Sequence, residues 1–156
     1  MISKQPFRIV VSSKAFLNIQ TCVTVAENTY ETGGILIGYK LCNTFFVVTS
    51  TSQEESEARS KVTFTLNGNE HTQKASQIIS QFKFKPLVLG VWHSHICDGA
   101  CFSELDRISN KSFAEFFNGA LSMLAVMQDD KISLTTHFIS ASGIDHFGKT
   151  YVLKRL

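Results

Sequence analysis

At 156 residues, with 44% apolar and 18% charged side chains, the chain has the make-up of one folded domain and not of a disordered segment. Fifteen basic and thirteen acidic residues leave a formal charge of +2, too small to imply a nucleic-acid or membrane partner. A small basic cluster near the C-terminus (Lys149, Lys154, Arg155) reads as a solvated tail.

The polar start, residues 1–6, is followed by an apolar run of only Ile9, Val10 and Val11, too short for the core of a secretion signal. No stretch approaches the ~20 apolar residues of a membrane span. The cysteines, Cys22, Cys42, Cys97 and Cys101, form no paired C-x-x-C framework. A cytoplasmic protein with reduced thiols is expected.

In chain order, residues 7–11 read as a first strand. Ser12 or Ser13 offers an N-cap, and Phe16, Ile19, Val23, Ala26 and Tyr30 then recur at spacings of three and four, one apolar face of a helix. Gly33 and Gly34 are expected to end it. Strands follow at 35–41 and 45–51 around a turn at Cys42, Asn43 and Thr44. Residues 53–60 are polar and acidic, a loop; 62–66 alternate as a strand; Asn67, Gly68 and Asn69 are turn chemistry. Ala75, Ile78, Ile79 and Phe82 mark a helix over 70–82. After Pro86 comes an apolar strand, 87–92. Ser103 opens a third helix with Leu105, Ile108 and Phe113 on one side. Residues 121–127, 132–139 and 151–153 read as closing strands. Mixed strands with interspersed helices predict an α/β or α+β sandwich over 1–156, with helices flanking one curved sheet.

The chemistry concentrates in residues 93–106. Residues two apart on a strand share a face, so His93 and His95, at the C-terminal end of a buried strand, can reach one ion. Imidazole nitrogens bind zinc, and Asp106, at the start of the next helix, supplies a carboxylate. Three protein ligands leave one position open, as in catalytic sites. Each part has a plainer reading. His-x-His pairs are common without metal, and Ser103 with Asp106 forms the pattern of a helix capping box. Glu31, before two glycines, is ordinarily a solvated charge, but a carboxylate beside zinc can take the proton of its water and pass it to a leaving amine. The glycines would let the backbone approach a substrate closely.

Taken together, Glu31-Thr32-Gly33-Gly34-Ile35-Leu36-Ile37-Gly38 and, far downstream, Leu89-Gly90-Val91-Trp92-His93-Ser94-His95, seven residues, Ser103, two residues, Asp106, resemble the signature of JAB/MPN (JAMM) metalloproteases. The resemblance spans about residues 7–127. It implies an MPN/cytidine-deaminase-like curved mixed sheet flanked by helices, one catalytic Zn2+, and hydrolysis of peptide or isopeptide bonds after ubiquitin-like C-termini. By position, His93, His95 and Asp106 would be ligands, Glu31 the general base and acid, and Ser103 a donor to the tetrahedral intermediate's oxygen. A compact chain of this kind is similar to bacterial JAB proteins, some of them tied to ubiquitin-like conjugation systems, including antiviral ones. The implied partner is a ubiquitin-like protein and its conjugates, whose extended tail would add as a strand beside a sheet edge.

Two departures stand out. Ile96 occupies a position where the family often has Pro, and Cys97 and Cys101 fall within the seven-residue loop, where ordinary half-buried thiols are the simpler reading than a second metal site. Asp98 lacks the family's ligand position. His71, His137 and His146 are isolated, and structural or surface roles are expected. Trp92, Phe113, Phe116 and Phe117 read as core. Three rival functions remain open at this point: processing of a sulfur-carrier protein by the same chemistry, a non-catalytic scaffold of the same family, and, with little support from the charge, a nuclease.

Overall fold

The structure, a computed structural model, describes residues 6–26, 29–52, 68–96 and 102–154. The elements run β1 (Phe7–Val11), α1 (Ser13–Ala26), β2 (Gly33–Leu41), β3 (Thr44–Ser50), α2 (Gly68–Ser80), β4 (Leu87–His95), α3 (Glu104–Phe116), β5 (Ala120–Gln128), β6 (Lys131–Ile139) and β7 (Asp145–Val152). The expected loop over 53–60 and strand over 62–66 lie outside the described residues, as do Cys97, Asp98 and Cys101. Among the described residues, no helix is long and apolar enough to cross a membrane.

The seven strands form a closed barrel in the order β1-β3-β2-β4-β5-β6-β7. This overturns the expected open curved sheet flanked by helices. The element that closes it is β1, which pairs in parallel with β3 on one side and with β7 on the other, from Phe7 opposite Gly148 to Val11 opposite Val152. β4 and β5 are also parallel, and the remaining pairs are antiparallel. The cause is physical. A twisted sheet curls, and pairing its two edge strands satisfies backbone groups that an open sheet would leave exposed. The alternation of β1 fits this place: Ile9 and Val11 are fully buried inside, while Arg8 faces out.

The main core joins the inner faces of the strands to α1, through Ile9, Val47, Leu36, Trp92, Met123 and the helix residues Ala15, Ile19 and Val23. Ser12 starts α1 by accepting a bond from the Ala15 amide at 3.1 Å and ties it to β3 by donating to the Val48 carbonyl at 2.8 Å. On the outside, Ala75, Ile78 and Ile79 of α2 cover Ile35 and Ile37 of β2. Phe113 and Ala114 of α3 cover Ala120 and Ile139.

Several local expectations are corrected. Gly33 and Gly34 open β2 instead of ending a helix, and Gly68 and Asn69 lie in the first turn of α2. Leu105 and Ile108, read as one apolar face with Phe113, are 64% and 57% exposed; the buried positions of α3 are Asn110 and Ala114. Phe116, read as core, is 83% exposed. Apolar spacing marks a helix but does not fix which face turns inward.

Closure also changes how a substrate tail could add. Among the described strands, the longest unpaired stretch of edge lies where β6 and β7 part beyond Thr136 and Gly148, leaving residues 131–135 and 149–152 without each other. A cavity of about 290 Å³ opens there between Leu134, Phe147 and Thr150. Among the described strands, no full-length free edge is available for strand addition.

Closure through β1 predicts that Ile9→Ala destabilises the protein by about 2–5 kcal/mol in urea unfolding. It also predicts that the alternate amides of β7 that face β1, those in register with Leu153, whose amide donates to the Val11 carbonyl at 2.9 Å, exchange slowly. Rapid exchange there in the wild type would contradict the β1–β7 pairing.

Candidate metal centre

Local strand geometry sets the first two candidate ligands. His93 and His95 alternate with the buried Ser94 on β4, whose last residues pair with Leu124, Ala125 and Val126 of β5. Trp92, fully buried, points to the opposite side and fixes the strand by donating from Nε1 to the Thr51 carbonyl at 3.1 Å. The reading of Trp92 as core therefore holds.

The two imidazoles converge, with Nε2 atoms 3.1 Å apart. His93 Nε2 lies 3.2 Å from one carboxylate oxygen of Asp106, and His95 Nε2 lies 3.1 Å from the other. Among the described residues, His93, His95 and Asp106 are the group whose potential ligand atoms all fall within 4.8 Å of one another. The spacing suits a small cation. Two ligand atoms each ~2.0–2.1 Å from one tetrahedral zinc are separated by about 3.3 Å. The donor set, two imidazoles and one carboxylate with the fourth direction left to solvent or substrate, fits zinc chemistry on the same grounds.

Asp106 is aimed by the start of α3. Ser103 is its N-cap: the Ser103 hydroxyl accepts from the Asp106 amide at 3.1 Å, and the Asp106 carboxylate accepts from the Ser103 amide at 2.7 Å. The capping box expected as the plainer alternative is thus present, and the same carboxylate faces both histidines. Burial works against its charge, but bonds to His93 and His95, the His93 charge and Ser103 outweigh that effect and hold the Asp106 carboxyl well below the usual carboxylate range.

Glu31 reaches the site from a distant part of the chain. Gly33 pairs with His93. One step further out, the Ser94 amide donates to the Thr32 carbonyl at 2.8 Å, and the Thr32 amide donates to the Ser94 hydroxyl at 3.0 Å. Continued one more residue, this antiparallel register sets Glu31 opposite His95. Glu31 is only 6% exposed. Desolvation raises its proton affinity, as Asp106 does more weakly, while His95 and His93 pull it down; the net shift is upward. Gly34 is demanded by packing inside the fold. A Cβ there would meet the Thr51 carbonyl oxygen at 2.2 Å, so the close approach is to β3 and its C-terminal extension.

The remaining histidines are placed as follows. His71 is fully buried, with Nδ1 2.8 Å from the Thr51 hydroxyl, which also accepts from the Ile35 amide. His146 packs near Phe7 and Phe138. His137 is not isolated: its Nδ1 lies 2.6 Å from Asp145. Sequence reading missed this pair because its partner lies across a hairpin. The only signal was an Asp placed eight residues on, after the turn-forming Ser142 and Gly143.

The Asp106 environment sets a pH dependence in chelator-treated protein. Because the folded-state pKa is depressed, the unfolded chain binds the extra proton. The associated stability is fully present above the ordinary value of about 4 and is lost as pH falls towards the folded value. Urea midpoints of Asp106→Asn should therefore fall less steeply below pH 4 than those of wild type; parallel curves would contradict the assignment.

No family model matches the chain, and no curated protein matches it. Among solved structures, it is similar to protein DSY2949 from Desulfitobacterium hafniense, known from a solution structure, with a TM-score of 0.72 and 19% identity over 95% of this chain and 94% of that one. At that identity the likeness speaks for the fold alone: the barrel and its helices are an arrangement already seen in another chain of nearly the same extent.

Proposed function

We propose that the protein is a zinc-dependent isopeptidase that resembles the JAB/MPN metalloproteases in its site residues and cleaves the bond after the C-terminus of a ubiquitin-like protein. The observation that carries this reading is the convergence of His93, His95 and Asp106, drawn from β4 and α3, on one point, with the buried Glu31 carboxylate near enough to feel their charges. A structural use of any one of them is ordinary. A buried carboxylate beside two imidazoles and a second carboxylate is a costly arrangement that folding alone does not call for.

His93, His95 and Asp106 would hold the metal. When bound there, zinc supplies Lewis acidity towards a carbonyl oxygen and makes water acidic near neutral pH. Glu31 accepts a proton from the attacking water as its oxygen adds to the scissile carbonyl carbon. It then returns that proton to the amine nitrogen as the C–N bond breaks. The upward shift of Glu31 suits a group that must both take and give a proton. The Ser103 hydroxyl oxygen accepts from the Asp106 amide, which leaves its O–H to donate to the developing oxyanion. The exposed position of Ser103 leaves it accessible to substrate.

A panel of ubiquitin-like C-terminal adducts, linear and isopeptide-linked and including sulfur-carrier proteins, tests the reading. Zinc-loaded wild type is expected to cleave at least one adduct, and chelation to abolish cleavage. Glu31→Gln should keep its zinc and lose roughly 10²–10⁴-fold in kcat. Ser103→Ala should lose about 10²–10³-fold. Zinc-free, fully folded protein without cleavage would favour a scaffold instead.

A further inference from the structure

Next to the metal centre stands a second imidazole–carboxylate pair, His137 of β6 with Asp145 at the start of β7. The strand register puts it on the same side of the sheet as the candidate ligands. His93 aligns with Leu124 and Thr135, and Val91 aligns with Ser122 and His137. Side chains two apart on a strand share a face, so His137 and His93 both project outward, away from the core that holds Trp92.

Phe102, the residue before the α3 cap, joins the two groups. Its ring centroid lies 5.9 Å from that of His93 and 5.2 Å from that of His137, edge-on to the latter at 90°. Phe147 meets the His137 ring edge-on as well, at 5.7 Å and 85°. His137 therefore stands between two aromatic rings, one of which also touches the metal centre. Its side chain is 23% exposed, and Phe147 is 62% exposed.

The pair does little for the fold. Ion pairs this exposed contribute about 0–1 kcal/mol. What the short bond does achieve is orientation: Asp145 engages Nδ1 and leaves Nε2 to a second partner. A ring held by a carboxylate and two aromatic neighbours, beside a peptide-cleaving centre, is suited to a chain that must lie across it. Phe102 and Phe147 offer apolar walls, and Nε2 offers a single polar contact.

We propose that His137, oriented by Asp145 and flanked by Phe102 and Phe147, is a specificity residue that hydrogen-bonds the backbone of the peptide chain entering the metal centre. This rests on the isopeptidase reading above. The proton transfers are assigned to Glu31 and not to His137, so the effect of His137 falls on substrate binding and not on the chemical step.

Steady-state kinetics on the preferred adduct of the panel separate the two ideas. His137→Ala is expected to keep wild-type zinc content, raise KM about tenfold, the worth of one hydrogen bond, and leave kcat within about threefold. His137→Gln should recover part of the loss, and Asp145→Asn should raise KM less than His137→Ala does. Unchanged KM in His137→Ala, with Glu31→Gln inactive, would overturn this proposal and leave the isopeptidase intact. Full activity in Glu31→Gln would overturn the isopeptidase reading itself. If His137→Ala does not fold or no adduct is cleaved, the imidazole ¹⁵N signals of zinc-loaded Glu31→Gln decide. On titration with the C-terminal hexapeptide of ubiquitin, the His137 signals are expected to shift, and constant His137 signals would overturn the contact.

Discussion

The pairing of the first residues of β2 with the last residues of β4 is the constraint on which the site depends. Thr32 and Ser94, 62 residues apart, exchange a backbone bond and a side-chain bond just ahead of Gly33, the first residue of β2. Neither group can reach water, since both residues are buried. An unmade bond there would cost about 1–3 kcal/mol, so the junction is held firmly. Everything chemical follows from it. Glu31 is carried to the side of His95, and the imidazoles are held on a strand that is itself paired on its other side with β5. Ser94, between the two histidines, thus has a task as definite as theirs.

The third wall of the site obeys a different economy, because a single interaction serves two purposes. A helix start leaves amides without partners, and Ser103 and Asp106 satisfy two of them reciprocally. The same geometry fixes the Asp106 carboxylate in one rotamer, facing His93 and His95 at 3.2 and 3.1 Å. A ligand placed on a loop would lose side-chain freedom on binding an ion. One already committed to a helix cap has lost it on folding.

What could be read in the sequence divides along the distance over which its causes act. The alternation around His93 and His95 and the Ser103–Asp106 spacing are local, so the strand and the cap were legible, as was the helix face of Ile19 and Val23. Glu31 was legible only through a resemblance, because nothing within its own segment distinguishes it from a surface charge. Closure of the barrel was not legible: β1 meets β7 about 140 residues downstream, and a parallel pairing between chain ends leaves no turn signal. The exposure of Leu105, Ile108 and Phe116 was misread for a related reason. Spacing identifies a stripe, but the surface it meets is assembled by β5 and β6, which no spacing within α3 specifies. His137 escaped because its partners, Asp145, Phe102 and Phe147, all lie outside its own strand.

Glu31 and Asp106 are pushed in opposite directions, and the difference follows from their surroundings. Asp106 is fed by donors: the Ser103 amide and both imidazoles face its oxygens, so its charge is held despite burial. Among the described residues Glu31 has no such set, and desolvation dominates, with the Asp106 charge adding to it. A carboxylate that keeps its charge suits a ligand, and one whose proton affinity is raised suits a proton carrier. A cation at the His93–His95–Asp106 point would offset part of that rise, because its charge favours the ionised carboxylate. The burial that disfavours the Glu31 charge is therefore the condition under which a bound cation would tune it most strongly, since the same low dielectric that penalises its charge strengthens its attraction to the ion.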